Sequence, residues 1–169
     1  MEHMTPFELN ENLFSLLDRE WMLITARDTE TGKINTMTAS WGGFGILWNK
    51  PVAFVFIRPQ RYTFAFTEKT DGMTLSFFSE EYRDALKLCG RVSGRDCDKI
   101  AEAGLTPMLL GDRASFEQAR MVMSCRKLYA DALKAEAFLD PALLQNYKDG
   151  DFHTVYVAEI EKILVSDNV

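Results

Sequence analysis

The sequence predicts a mainly β protein with short helices, built as an antiparallel barrel or sandwich. Three observations point to this class: strand-like runs recur at hairpin-like spacing, every helical pattern is short, and strands do not alternate with the long helices that a parallel βαβ sheet requires.

Thr5 followed by Pro6 gives an N-cap with proline at the first helical position, and Phe7, Leu13, Phe14, Leu16 and Leu17 form an apolar stripe. Together they predict a helix over 6–18. Trp21 to Ala26 is strand-like, and Glu30-Thr31-Gly32-Lys33 supplies a turn with glycine where a positive φ is needed, so this strand pairs antiparallel with Asn35 to Trp41. Gly42-Gly43-Phe44-Gly45 reads as a glycine loop in which the backbone can approach a flat ligand closely. After Pro51, the apolar run Val52 to Ile57 fits a strand buried on both faces. A short helix over Arg61 to Lys69 and a strand over Met73 to Phe78 come next. Ser79 caps a helix that carries Tyr82, Ala85, Leu86 and Leu88 and stops at Gly90, and Asp96 to Ala103 forms another helix closed by Gly104. Phe116 to Leu128 and His153 to Val165 are longer strands. Tyr129 to Tyr147 between them is helical in pattern, with Pro141 interrupting it.

At 169 residues and 47% hydrophobic content the chain suits one domain over 1–169, with a helical insertion near 129–147. A net charge of −6 and the lack of any basic run argue against nucleic acid or an anionic membrane as partner. The 3 cysteines form no Cys-x-x-Cys pair and only 2 histidines accompany them, so neither a disulfide framework nor a metal site is expected. With no apolar run near the ~20 residues that span a membrane, the expectation is a soluble protein of a reducing compartment, the cytoplasm.

Polar clusters carry the chemistry. In the first, Asn35, Thr38, Ala39, Ser40 and Trp41 bring an amide, small residues and an indole to a strand end, as a planar heterocycle needs; a plain strand ending in a glycine turn would read the same way. In the second, Arg58, Arg61, Tyr62 and Thr63 gather guanidiniums and a hydroxyl where a buried strand meets a helix start. That suits a phosphate, or equally two solvated charges and a helix cap. The third, Cys89-Gly90 with Ser93-Gly94-Arg95-Asp96 and Lys99, describes a loop able to hold an anion or a polar ring edge, or an ordinary interhelical loop. His153 opens a strand. Gly42-Gly43-x-Gly45 lacks the Gly-x-Gly-x-x-Gly spacing of a Rossmann turn, and no Gly-x-Ser-x-Gly elbow is present.

Taken in order, Asn35-Thr36-Met37-Thr38-Ala39-Ser40-Trp41, Lys50-Pro51 before a buried strand, Arg58-Pro59-Gln60-Arg61-Tyr62-Thr63, and Cys89-Gly90 with Ser93-Gly94-Arg95-Asp96 and Lys99 resemble the flavin reductase-like, FMN-binding split-barrel family, in its flavoredoxin-like branch. The resemblance covers roughly residues 15 to 110. It implies an antiparallel, Greek-key-like split β-barrel, a homodimer with non-covalent FMN near the subunit interface, and a flavin site made by the clustered residues and His153. Lys99 would meet either the ring or the phosphate. The activity implied is electron transfer from NADH or NADPH to FMN. The alternatives are a flavoredoxin-like electron carrier reduced by a redox partner protein, or a flavin-binding module without turnover.

Overall fold

The computed structural model describes residues 1–166. Ten strands and four short helices appear in it: β1 (Glu2–Met4), α1 (Leu13–Ser15), β2 (Met22–Arg27), β3 (Ile34–Ala39), β4 (Gly42–Leu47), β5 (Lys50–Ile57), α2 (Tyr62–Thr67), β6 (Gly72–Phe77), α3 (Arg83–Arg91), α4 (Lys99–Glu102), β7 (Pro107–Leu110), β8 (Arg113–Phe116), β9 (Met121–Ala132) and β10 (Thr154–Val165). The main sheet is antiparallel, in the order β3-β2-β6-β9-β10-β5-β4, with β1 added to β10. The mainly β, antiparallel class is therefore observed.

The sheet cannot be flat. β3 and β4 stand at opposite ends of the strand order, yet only Ser40 and Trp41 separate Ala39 from Gly42. Three Cα–Cα steps reach about 11 Å at most, so the two edges lie side by side without pairing. The result is a barrel split along the β3–β4 seam. A bulge at Leu128 in β9, opposite Val157 and Ala158, and another at Glu161 in β10 supply local bending.

Alternation along the strands fills the barrel: Met22, Ile24, Met37, Ala53, Val55, Ile57, Met73, Leu75, Phe77, Met121, Met123, Tyr156 and Ala158 form one core with Leu16 and Leu17 beneath it. On the outside, Leu23, Phe78, Leu86, Cys89, Leu105, Phe116 and Val122 form a second core under α3 and the β7–β8 hairpin. Thr74 Oγ1 donates to the Ala114 carbonyl at 2.6 Å, and Ser76 and Ser115 hydroxyls meet at 2.8 Å, so the polar outer face of β6 is satisfied by β8.

The predicted β2–β3 hairpin is observed, with Ala26 opposite Asn35 and Gly32 at φ 72. Other elements differ. The predicted first helix is broken: Pro6–Glu8 makes a single 3-10 turn, and Asn12 starts α1 afresh by accepting the Ser15 N–H at 3.1 Å. The chain then widens into a π-helical turn at Leu16–Glu20, ending at Trp21 with φ 66. The glycine run is strand β4, in which packing forces glycine at 42: a Cβ there would stand 2.9 Å from the Phe54 carbonyl oxygen. A two-residue turn at Trp48 and Asn49, both at positive φ, joins β4 to β5. Strand β5 is buried throughout its inner face, while on the other face Val52 is buried and Phe54 and Phe56 are half-buried.

Helix α3 does not stop at Gly90 but continues through it to Arg91; a Cβ there would press to 3.3 Å from Thr38 Cβ, so glycine lets the helix lie close on β3. The strand expected from Phe116 is two strands, β8 ending at Phe116 and β9 beginning at Met121. The expected helical insertion near 129–147 is corrected likewise. Tyr129 to Ala132 continue β9 as a strand, paired with β10, and only Ala135–Ala137 and Pro141–Tyr147 are helical, as 3-10 turns. The β-branched and alternating character of β10 holds residues 129–132 in the sheet against their local helical pattern.

Candidate functional site

The loops beside the seam divide the predicted site residues into two groups. The first lies between β3, α2 and the α3–α4 connection. Asn35 is buried, and its Nδ2 donates to Thr63 Oγ1 at 2.8 Å. Gly94 sits so close that a Cβ on it would fall 2.2 Å from Asn35 Oδ1 and 3.3 Å from the Tyr62 ring. Any side chain at 94 would displace the amide, so this glycine is required by the approach of the loop.

Beside this pair are two cations. Lys99, only 3% exposed, donates from Nζ to the carbonyls of Cys89 and Val92, each at 3.1 Å. Arg61 Nη1 donates to the carbonyl of Gly90 at 3.0 Å. Both cations thus satisfy carbonyls at the end of α3, and neither has a carboxylate partner among the described residues. Burial pulls both groups below their ordinary pKa, and the Arg61 charge adds to the effect on Lys99. They open on a small recess of about 90 Å³ that Thr63, Arg91 and Ser93 also line. Buried charges are normally paired, so a buried lysine and a half-buried arginine side by side at a hydroxyl-lined recess leave positive charge there without a carboxylate among the described residues. A second cleft of about 380 Å³ continues past Lys99 along Asn35, Tyr62 and Gly94. Arg95 stacks over the Tyr62 ring at 4.7 Å and closes that side.

Thr38, Cys89 and Gly90 act one step back. The Thr38 hydroxyl donates to the Leu86 carbonyl, fastening β3 to α3. The Cys89 thiol is buried in the outer core, where desolvation pushes its pKa up, and only its carbonyl reaches the cluster. Ala39 and Ser40 are half-buried at the seam.

The second group is built on Trp41. His153 packs against it at 5.6 Å between ring centroids and against Phe56 at 6.2 Å, and its Nδ1 meets the Tyr147 hydroxyl at 2.8 Å. Arg58 belongs here rather than with Arg61: it pairs with Asp151 at 2.6 Å, donates to the Asn146 carbonyl at 2.9 Å and lies over the Tyr147 ring. Gln60 also donates to Asp151. These contacts strap the 141–152 segment beside Trp41, with Tyr147 stacked on Phe152 at 4.8 Å. Sequence reasoning missed Asp151, whose partner Arg58 is far away in the chain, and Tyr147, whose partner His153 is six residues on. The acidic residue opposite Arg58 was the available signal.

This architecture agrees with the comparisons. The family model described as "Flavin reductase like domain" matches residues 14–169, and the chain belongs to that family. No curated protein matches the sequence. Among solved structures, the fold is similar to flavoredoxin of Desulfovibrio vulgaris (TM-score 0.68, 20% identity, 97% of this chain and 78% of that one). It is also similar to an FMN-binding protein of Thermus thermophilus with bound p-hydroxybenzaldehyde (0.69, 17%, 99% and 83%). A third similar structure is nitrilotriacetate monooxygenase component B of Bacillus cereus (0.69, 17%, 99% and 82%).

Burial holds the His153 pKa down to about 4, the Arg58 charge lowering it further and Asp151 partly opposing. The imidazole is neutral in the fold while the unfolded chain takes up a proton below about pH 6.5, so stability falls as pH drops from about 6.5 to 4. Chemical denaturation across this range should show a loss of up to about 3 kcal/mol, and His153→Gln should flatten that slope. An unchanged slope in the variant would place the titration elsewhere.

Proposed function

We propose that the chain is an FMN-dependent oxidoreductase that accepts electrons from NADH or NADPH on a non-covalently held flavin. The observation that supports it best is the Arg61–Lys99 pair, two cations withdrawn from water with no carboxylate partner among the described residues. A phosphate supplies the missing charge, and the Thr63 and Ser93 hydroxyls lining the recess can donate to it. In this reading Lys99 serves the phosphate rather than the ring. Asn35, Tyr62 and Gly94 border the adjoining cleft, and the Ala39, Ser40 and Trp41 seam borders the ring.

The flavin, when bound, supplies the two-electron acceptor. The chain's part is to bind and orient it: Gly90 and Thr38 fix β3 against α3, the Cys89 carbonyl holds Lys99 in place, and His153, neutral near pH 7, braces Trp41 without donating a proton.

A second reading, an electron carrier like the flavoredoxins, is favoured by the strap. Arg58, Asp151, Tyr147 and His153 fasten residues 141–152 beside Trp41. A cover fixed there would exclude a nucleotide and leave electrons to arrive from a partner protein. Hydride transfer needs the nicotinamide stacked within about 3–3.5 Å of the flavin. Anaerobic stopped-flow mixing separates the two: the oxidoreductase bleaches its flavin at a rate that saturates with NADH or NADPH, whereas bleaching by dithionite alone rules that activity out and leaves the carrier.

We also propose a homodimer. The outer faces of β5 and β10 leave Phe54, Phe56 and Val155 half-buried, and Tyr129 next to them is 48% exposed. Gly43 and Gly45 beside Phe54 leave that surface open for a second copy, with the Lys50–Glu159–Arg126 ion pairs at its rim. Sedimentation equilibrium should give a dimer, and Phe54→Glu should give a monomer that binds flavin more weakly. A wild-type monomer that retains flavin would contradict the proposal.

A further inference from the structure

Among the described residues the buried threonines are Thr25, Thr36, Thr63, Thr67 and Thr74. A hydroxyl taken out of water needs an acceptor for its proton, and all of these but Thr63 have one. Thr36 donates to the Ile24 carbonyl at 3.1 Å, Thr67 to the Phe64 carbonyl at 2.9 Å and Thr74 to the Ala114 carbonyl at 2.6 Å. The Thr25 and Thr36 oxygens meet at 2.9 Å, and because the Thr36 proton lies on the Ile24 carbonyl, Thr25 is the donor of that pair.

Thr63 departs from this pattern. It is 1% exposed, and its Oγ1 accepts from Asn35 Nδ2 at 2.8 Å, yet its own proton reaches no acceptor among the described residues. Thr67, one turn later in α2, shows the ordinary alternative by donating to the carbonyl three residues back. The carbonyl three residues before Thr63, that of Gln60, accepts from Arg95 Nη1 at 3.2 Å instead. A buried hydroxyl proton is thus left over beside Arg61 and Lys99, in the recess that Thr63 lines with them.

The cause is Asn35. Its amide is 3% exposed and lies so close to Gly94 that it has no room to shift, and it presents an N–H rather than an oxygen to Thr63. A hydroxyl has one proton and two lone pairs; with one lone pair taken by Asn35, the proton points away from the amide. We propose that Asn35 is a positioning residue that makes the Thr63 hydroxyl a fixed donor into the recess, and that it thereby sets the preference for a phosphorylated over an unphosphorylated flavin without touching the phosphate. A phosphate oxygen has only lone pairs to offer, so it suits a recess whose lysine, arginine and threonine all present protons. The proposal rests on the reading that the phosphate of the flavin occupies this recess.

The test is a double-mutant cycle read as the ratio of the riboflavin to the FMN dissociation constant, each titrated by flavin fluorescence into the flavin-free protein. Thr63→Val should lower the ratio about tenfold and Asn35→Ala about fourfold, and the double variant should fall no further than Thr63→Val alone. A merely structural loss would weaken both flavins and leave the ratio unchanged. Asn35→Asp keeps the shape but can only accept, so it draws the Thr63 proton to itself. Its new charge acts whether or not Thr63 is present, so the ratio should fall further in the Thr63 protein than in Thr63→Val.

A double variant whose loss is the product of the two single losses would mean that Asn35 acts on the ligand directly, and this overturns the inference. So does an Asn35→Ala ratio equal to that of the wild type. An Asn35→Asp ratio that falls equally in both backgrounds also overturns it, and this comparison decides the question by itself should Asn35→Ala fail to fold. If the wild-type protein binds FMN and riboflavin alike, the phosphate reading fails and takes the inference with it; that result needs no variant and is distinct from the others.

Discussion

The chain leaves β3 at Ala39 and enters β4 at Gly42, stepping from one end of the strand order to the other across Ser40 and Trp41 alone. So short a connection forces the sheet to curl until its edges meet, and the interior fills with the alternate side chains of every strand. It also leaves a seam where unpaired backbone and small residues stand beside an indole. The small residues follow from this closure. Gly42 has no room for a Cβ against the Phe54 carbonyl, and Gly90 brings α3 down onto Thr38.

The charge distribution follows a different constraint. Arg58, Lys50, Lys69, Arg113, Arg120 and Arg126 are each paired with carboxylates, as partly buried cations ordinarily are. Arg61 and Lys99 depart from that pattern. Their donors are held by carbonyls at the end of α3, which orients the two cations without neutralising them. In the proposed function, the phosphate of the flavin removes the electrostatic cost of this arrangement, as a carboxylate does in a structural ion pair. The Arg58 side of the seam, by contrast, is internally neutralised by Asp151 and serves to fasten a segment of chain.

Much of the fold was legible because the signals were local. Gly32 at the β2–β3 turn and the alternation in β10 act within a few residues of where they are read, and both elements are as expected. The glycines of β4 hid a strand, since Gly42 is required by a neighbour across the sheet rather than by a turn. The 129–132 stretch is helical in pattern but is held extended by ladder bonds to β10, a tertiary effect invisible locally. For the site, the clustering of Asn35, Arg61, Thr63, Gly94 and Lys99 follows motif order. The assignment of Arg58 to the phosphate side did not anticipate Asp151, 93 positions away.

The central claim is that Arg61 and Lys99 form a phosphate site, and the most direct measurement is the affinity of the protein for FMN against riboflavin. The two ligands share a ring and differ in the phosphate. Wild-type protein should bind FMN far more tightly, and Arg61→Ala and Lys99→Met should each narrow that gap by about 10- to 100-fold while leaving riboflavin nearly unaffected. Equal wild-type affinities, or variants that weaken both ligands alike, would contradict the account.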